Sequence, residues 1–561
     1  MRDWFWLMAC GVISSLWCVT AARELSATYD EPGYLRLGLQ RWRTGDDTEL
    51  KHGGIMPLPV DVCTLPLYVA ERWSGRPITS DIQFERLLPW ARAANLVFWW
   101  LLLLYAWRIA GALGGPWAAR LAVALLAVEP NFLAHAALAT TDIAITACLL
   151  AVAFHFREGR SAGWWRRIAV PSVWFGLAMV AKASAILFAP LCLLTIEAGF
   201  LCRDGWPKLA QVARSLRHLL TIGIAGSLLA SVYCGDSNGS VRRNLLATVE
   251  RLPIETGKQT LRAVAQHTPL YIHAWDTVVK QAQRNVSGPD GVFLLGAWHE
   301  KSVWYYFPVA LSIKLPVPLL LLPVLLALLR PRVLANWAVA AAAMLLLFSL
   351  TCRVQIGIRY MLPLVALGIA GLAAAVVHAW EALPALWPRR GLALWTAKLV
   401  AAMAVAAGDA WPNGLGYANR LWGGPERTYL LLSDSNCDWG QGLKELNRWQ
   451  RRHHIERMDV VYFGADPMIH SLPLHPVCLP EYHPEVPGAS RYVAVSTTAL
   501  FGHAHSRMPA AIYLRGLTPV GRTSTFLIFE LGTEPGLGLP PSAIVERRSA
   551  AQEKPRRGDR Q

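Results

Sequence analysis

Residues 90–111 read WARAANLVFWWLLLLYAWRIAG, a stretch whose only charged positions are Arg92 and Arg108. About 20 helical residues span the apolar core of a bilayer, so this stretch predicts a membrane-crossing helix. Runs of the same kind recur at 4–22, 117–133, 135–156, 168–182, 184–201, 218–234, 304–329, 333–352, 357–380 and 392–411. The expectation is a polytopic α-helical membrane protein with about eleven spans. Composition agrees. Over 561 residues, 54% are hydrophobic and 16% charged, where soluble chains carry about 25% charge. Mean hydropathy is +0.31. A disordered chain, a secreted disulfide scaffold and a cytosolic enzyme are excluded as descriptions of the whole.

The excess of 54 Lys and Arg over 38 Asp and Glu gives +16. Its location explains it. Basic clusters fall between apolar runs at 157–167, 203–218, 330–332 and 389–390, and short loops of that kind stay cytoplasmic. With a cytoplasmic N-terminus every cluster lands inside, and no nucleic-acid partner is needed. The same parity places three polar segments outside: 23–89, 235–303 and all that follows residue 412. The first apolar run lacks a basic leader and reads as a retained helix rather than a signal peptide. The 25 Trp residues suit interfacial belts and a carbohydrate-handling surface equally.

The ten cysteines form no CxxC pair, and those inside apolar runs are small hydrophobes. A disulfide between Cys437 and Cys478 is open if their region lies outside the membrane. The transmembrane module is read as 1–411, and its first outer loop carries helical patterns near Pro32–Trp42 and Val60–Trp73. Segment 412–545 has β-rich stretches at 459–463, 491–496 and 525–530, and predicts a small α/β domain. The tail 546–561 is polar and basic.

Certain charges stand where the membrane boundary should lie. Asp30 and Glu31 follow the first helix directly, and two adjacent carboxylates repel, so one is expected to hold its proton more tightly. The pair suits a base for a hydroxyl or, with Asp142, a divalent-cation site. Its structural alternative is an N-cap and first-turn acid before a helix opened by Pro32. Asp142 heads an apolar helix, and ionisable residues at such positions are functional candidates. His135 precedes it by one heptad. Glu129, between two spans, could join the acids. Three cations, Lys182, Lys314 and Arg359, sit beside or within apolar runs. A lipid phosphate would satisfy them, and snorkelling is the alternative for any one. Acids and cations together describe a site for a phosphorylated lipid headgroup beside a proton acceptor. There is no Walker pattern.

These residues resemble a known family. Tyr29-Asp-Glu-Pro32, Pro130-Asn-Phe-Leu-Ala-His135 running to Asp142, Gly176 to Lys182, Trp304-Tyr-Tyr-Phe-Pro308 with Lys314-Leu-Pro316, Gly357-Ile-Arg-Tyr360 and Ser435-Asn-Cys-Asp-Trp-Gly-Gln441 occur in order. In that order the chain resembles bacterial GT-C fold glycosyltransferases related to protein O-mannosyltransferases and aminoarabinose transferases. Relatives often carry His-Pro-Pro-Leu late in the first loop, where this chain has Met56-Pro-Leu-Pro59 with His52 nearby. They also carry glycine before Trp304, where Ser302-Val303 stands here.

The resemblance implies an extracytoplasmic, inverting transferase in a bacterial inner membrane. Its donor is a polyprenyl-phosphate-linked sugar and its acceptor a hydroxyl of a protein, lipid or glycan. It carries the base onto Asp30, with Glu31 beside it, and the second acid onto Asp142. Arg359, Lys182 and Lys314 are the candidates for the donor phosphate. Tyr29, His135, Trp304, Tyr305, Asp438 and Trp439 are candidate acceptor or sugar contacts. No cofactor is certain, a divalent cation being the open one. A transporter or flippase of lipid-linked sugars is the alternative; a scaffold would leave Asp30 and Asp142 idle. The motif at 433–441 is equally consistent with an Asx-rich turn in which Asp438 caps a helix at Leu443. On the functional reading, its domain covers the outer site and helps select the acceptor.

Overall fold

The computed structural model describes residues 2–202, 206, 208–234, 246, 249–250, 257–267, 291–479, 482, 490–502 and 504–531. Most of the expected outer segment 235–303, the side chain of His52 and the tail 546–561 lie outside the described residues.

The chain is helical, with several apolar helices and a small C-terminal sheet. Its first ten helices are α1 (Arg2–Glu24), α2 (Glu31–Thr44), α3 (Thr48–Gly53), α4 (Pro57–Ser74), α5 (Asp81–Ala127), α6 (Pro130–Ala136), α7 (Asp142–Gly159), α8 (Val170–Ala181), α9 (Ala185–Leu201) and α10 (Leu209–Cys234). Later apolar helices are 306–314, 317–329, 337–349, 362–382 and 386–409. Among the described residues, five helices are long and apolar enough to cross a membrane, or six if one bent pair counts as a span.

Two expected spans, 135–156 and 304–329, are divided differently from the sequence reading. Runs 90–111 and 117–133 are separate helices, as expected: within α5 the helix breaks where Gly114 and Gly115 leave helical geometry, and its second part stops at Ala127, short of 133. Gly115 has φ +76, a conformation open to glycine, and Pro116 follows it without an amide hydrogen to continue the ladder. The run 135–156 becomes one continuous helix only from Asp142, because Pro130–Ala136 forms the separate short α6. The run 304–329 is two helices bent by 109°. Pro316 in the linker supplies the break.

Helix 362–382 packs on α5, and its Ala366, Ala370, Ala373, Ala374 and Ala375 are all fully buried. Small residues let two backbones approach closely where the surroundings are already apolar. A Cβ on Gly114 would stand 2.8 Å from the Ala374 Cα, which shows how close this approach is. In the first loop α2 and α4 form as the pattern predicts. They bury Leu35, Leu39, Cys63 and Leu67 against Leu88 and Ala91 of α5.

A two-stranded hairpin of β1 (Val292–Leu294) and β2 (Ala297–His299) precedes the C-terminal sheet, whose strands β3 (Met458–Val461), β4 (Leu474–Pro476), β5 (Tyr492–Ser496), β6 (Gly521–Arg522) and β7 (Phe526–Glu530) lie in the order β4-β3-β5-β7-β6. A two-residue alternation sends successive side chains to opposite faces. Met458, Val460, Ala494 and Ile528 pack with Leu443 and Leu446 of helix 443–452. Val461, Val493, Val495 and Phe529 pack with Ala511 and Leu514 of helix 509–516. Cys437 is buried and Cys478 exposed, and both are free thiols, so the expected option of a disulfide between them is not realised.

Candidate active site

Asp30 lies at the N-cap position of α2, yet its side chain caps nothing. It turns instead to Arg359, whose Nη1 donates to Asp30 Oδ2 at 3.2 Å, while Tyr34 Oη donates to the same oxygen at 3.3 Å. Arg359 sits in the 3₁₀ turn that precedes helix 362–382, and its guanidinium lies 4.3 Å above the Trp439 ring. The arginine is buried and its Nε has no protein partner.

A second ion pair stands alongside. Lys182, the C-cap of α8, donates from Nζ to Asp142 Oδ1 at 2.5 Å. Asp142 occupies the first turn of α7, where the helix dipole favours a carboxylate. The Tyr360 ring lies between the pairs, 4.4 Å from Lys182 Nζ and 5.7 Å from the Arg359 guanidinium. His135 Nδ1 is 4.0 Å from Asp142 Oδ2, and its ring meets Trp439 edge-on at 6.5 Å. Asp142 Oδ2, His135 Nδ1, Thr140 Oγ1 and Arg359 Nε are all buried without a hydrogen-bond partner. Orphaned polar atoms of this kind are costly in a folded chain and mark a place built for a polar ligand or water.

Glu31 was expected beside Asp30 among the reacting groups, with the two carboxylates repelling. The structure separates them. Glu31 is fully buried and pairs with Arg92 through two bonds of 2.8 and 2.7 Å, and it accepts from the Thr28 and Ala139 amides. Burial alone would push its carboxyl up. The Arg92 charge and these hydrogen bonds outweigh that and hold it below the ordinary range. Successive residues at a helix start point in different directions, so adjacency in sequence did not put the two acids in one site. Arg92 also donates to the carbonyls of Ala22, Leu25 and Ser26, so this buried pair fixes the exit of α1 just before Asp30.

Lys314, grouped by sequence with the phosphate-binding cations, is turned elsewhere. Its buried Nζ donates to the carbonyls of Leu415 and Asn436 at 2.6 and 2.7 Å. It ties the helix break at 315–316 to the C-terminal segment. Glu129 is likewise occupied, capping α6 through the Phe132 amide and accepting from Asn131. Among the other expected contacts, Tyr29 is half exposed and stacks on Phe463 at 5.6 Å. Trp304 is exposed and meets Tyr305 edge-on. Among the described residues no group of three or more His, Cys, Asp and Glu side chains is placed to hold a metal ion. Asp30 and Asp142 each face a cation and Glu31 faces Arg92, so the donor set does not fit a divalent cation.

The segment 433–441 proves to be the hub. Asp438 caps no helix. Its carboxylate accepts from the Gly440 and Thr498 amides and the Ser496 and Thr497 hydroxyls, which anchors the loop to the end of β5. Burial, partly offset by these donors, pushes its carboxyl up to about 6. Ser435 Oγ donates to the Ile356 carbonyl at 2.5 Å, and Asn436 Oδ1 accepts from the Ile358 amide at 3.0 Å. Asn436 Nδ2 also donates to Tyr306 Oη. Gly357, with φ +145, passes so close that a Cβ there would stand 2.2 Å from Ser435 Oγ. The backbone of 439–441 then grips the segment before Asp30: the Tyr29 amide donates to the Trp439 carbonyl at 2.8 Å and the Ser26 amide to that of Gln441 at 3.0 Å. Sequence reasoning missed Arg92, Tyr34 and Tyr360. Only the Gly-Ile-Arg-Tyr motif carried a signal for any of them.

Residues 89–228 match the family model of dolichyl-phosphate-mannose-protein mannosyltransferases. The match includes Arg92, His135, Asp142 and Lys182 and ends before Arg359 and Trp439. No curated protein matches the chain. Among solved structures it is similar to ArnT from Cupriavidus metallidurans bound to undecaprenyl phosphate, at 14% identity and TM-score 0.44, covering 95% of this chain and 99% of that one. It is also similar to the oligosaccharyltransferase AglB from Archaeoglobus fulgidus in complex with an inhibitory peptide and a dolichol-phosphate, at 12% identity and TM-score 0.47, covering 95% and 75%. A third likeness is to the arabinofuranosyltransferase AftD from Mycobacteria, at 14% identity and TM-score 0.39, covering 98% and 43%. The resemblance read from the motifs is thus met by the family match, and the chain is similar to GT-C glycosyltransferases.

Proposed function

We propose that the protein is an inverting, polyprenyl-phosphate-dependent glycosyltransferase acting on the extracytoplasmic face of a bacterial inner membrane. One observation carries this reading: Asp30, Asp142, Lys182 and Arg359, remote in sequence, meet beside four unpartnered buried polar atoms. Two fixed cations suit the phosphate of a lipid carrier, and two acids suit a hydroxyl and the sugar that it attacks. The acceptor oxygen attacks the anomeric carbon, and a new C–O bond forms as the bond to the carrier phosphate breaks. The electron pair leaves on the phosphate oxygen, where Arg359 and Lys182 stabilise it, and the hydroxyl proton passes to Asp30. A phosphate is a weakly basic leaving group, so no general acid is required.

Asp142 holds Lys182 in place, and Glu31, through Arg92, holds the backbone from which Asp30 projects. No step needs a metal. The sugar is a hexose or pentose, and the acceptor hydroxyl belongs to a protein, lipid or glycan. Topology supports the placement. The basic loops at 157–167, 330–332 and 389–390 lie at helix ends opposite those that carry Asp142 and Arg359. That arrangement supports the reading of a cytoplasmic N-terminus, a transmembrane module over 1–411 and an outer C-terminal α/β domain over 412–545.

The test uses the purified full-length protein in detergent, where transport has no meaning. Release of free polyprenyl phosphate from polyprenyl-phosphate-linked sugars, dependent on added acceptor, is the expected result. A protein that binds the donor yet never cleaves it with any sugar or acceptor tried would overturn the reading.

A further inference from the structure

At the opposite end of α7 from Asp142 the helices line a cavity of about 320 Å³. It is lined by Arg108 of α5, Phe154, His155 and Glu158 of α7, and Arg166 just before α8. Asp142 and Glu158 are separated by sixteen residues of helix, which is about 24 Å and close to the thickness of a bilayer core. The cavity therefore belongs to the other membrane face and has no part in the chemistry above.

Its walls are ordered. Tyr105 Oη and His155 Nε2 share a hydrogen bond of 2.8 Å, and the His155 ring lies nearly parallel to Trp174, at 7° and 6.1 Å. The Arg108 guanidinium is braced over the Phe154 ring at 5.6 Å and the Tyr105 ring at 6.0 Å. Among the described residues neither Arg108 nor Arg166 has a carboxylate within 4.0 Å. Two guanidiniums thus face one cavity without an ion-pair partner among the described residues, and the acid in its lining, Glu158, offsets one of the two charges. Trp164 and Trp165, beside Arg166, are both exposed, as interfacial anchors are.

We propose that this cavity binds the phosphodiester headgroup of a phospholipid in the leaflet opposite the active site. A guanidinium matches a phosphate by paired N–H donors. Basic pockets between membrane helices on the cytoplasmic side are suited to anionic headgroups. Glu158 is placed to accept from a headgroup hydroxyl or ammonium. Free inorganic phosphate offers the same oxygens without the acyl chains, so the test separates the two.

The full-length protein is purified in detergent and stripped of lipid. Its melting temperature is followed on titration with phosphatidylglycerol, and in parallel with inorganic phosphate. The wild type should melt several degrees higher with phosphatidylglycerol and unchanged with phosphate. Arg108→Gln with Arg166→Gln should remove at least half of that rise, while Arg332→Gln with Arg390→Gln at other basic clusters should keep it. Equal rises in both double variants, or an equal rise with inorganic phosphate, would overturn the proposal. Arg108→Lys with Arg166→Lys keeps the charge but loses the paired donors. It should need at least threefold more lipid for the half-maximal rise, and an unchanged midpoint would count against the site. Since these residues are remote from Asp30, failure here would leave the transferase reading untouched.

Discussion

The guanidinium of Arg359 rests 4.3 Å above the indole of Trp439, so a residue of the C-terminal segment supports the cation that faces Asp30. A desolvated cation–π contact contributes about 0.5–2 kcal/mol. Trp439→Ala should therefore slow transfer by roughly 2- to 30-fold through a misplaced arginine, at about 1.4 kcal/mol per factor of ten. Trp439→Phe keeps a ring face and should recover most of the rate. Steady-state transfer by the two variants, with melting temperature as a folding check, decides it.

Asp30 and Glu31 are adjacent in sequence and should behave in opposite ways. Asp30→Asn removes the proposed base and should lower turnover by at least about 100-fold. Donor binding should persist or tighten, because the carboxylate that competes with a phosphate for Arg359 is gone. Glu31→Gln strands the buried Arg92 charge, and breaking a buried pair costs about 3–5 kcal/mol. That variant should melt far below the wild type. Normal turnover by Asp30→Asn would remove Asp30 as base.

The apolar runs, the two amphipathic loop helices and the C-terminal strands were legible because burial imposes periods of 3.6 and 2 on a sequence. Asp30, Asp142, Lys182 and Arg359 were legible because a charge at a membrane boundary is costly without a purpose. Their pairing was not. Lys182 lies forty residues from Asp142, and nothing local says that they meet. Arg92 was hidden inside the very run that decides the fold. Its partner Glu31 lies sixty-one residues away, and only packing brings them together. Lys314 was misread because a lysine has two ways to be satisfied in an apolar setting, an anion or backbone carbonyls, and sequence does not distinguish them. The Gly114–Gly115 break was legible, because two glycines followed by Pro116 interrupt the apolar run between 111 and 117, where the two spans were divided.

Arg359→Ala removes the only guanidinium in the cluster, together with its unpartnered Nε. Apparent donor affinity should fall by at least tenfold, since a charge-assisted bond contributes about 1.5–3 kcal/mol. Lys182→Met should weaken donor binding too, with Asp142 left as an unpaired buried acid. Restoring neutrality with Lys182→Met and Asp142→Asn together should recover stability without recovering transfer. Unchanged donor affinity in Arg359→Ala would assign that arginine a purely structural role.

The pH dependence of stability should carry a contribution from Asp438. Its folded-state carboxyl lies near 6, above the ordinary value of 3.8, so the folded protein holds this proton more tightly than the unfolded chain. The contribution is complete below pH 3.8 and is lost as pH rises through 6. A shift of two units corresponds to about 3 kcal/mol. Asp438→Asn should flatten the wild-type fall in stability between pH 4 and 6.5, even though its amide fits the four donors poorly and lowers stability overall. Parallel slopes in the two proteins would show that the Asp438 proton is not held.

The last prediction concerns the C-terminal segment, which the sequence presented as a cover that helps select the acceptor. The structure gives it a second task. The backbone just before Asp30 hangs on it by three bonds: Ser26 N to the Gln441 carbonyl, Ala27 N to Asp466 Oδ2 at 2.9 Å, and Tyr29 N to the Trp439 carbonyl. Arg359 depends on it as well, through Ser435, Asn436 and Trp439. A cover alone could be removed with loss of acceptor transfer but survival of slow donor hydrolysis by water. A segment that positions both base and cation cannot. Truncation after Trp411 should therefore abolish transfer and hydrolysis together. Because truncation can also destabilise the helices, Asp466→Ala supplies the gentler cut. It removes one bond to the Asp30 segment, and loss of a hydrogen bond to a charged group costs about 1.5–3 kcal/mol. Asp466→Ala should lower both reactions by a similar factor while donor affinity stays near wild type. Hydrolysis at the wild-type rate with transfer lost would return the segment to the role of a cover.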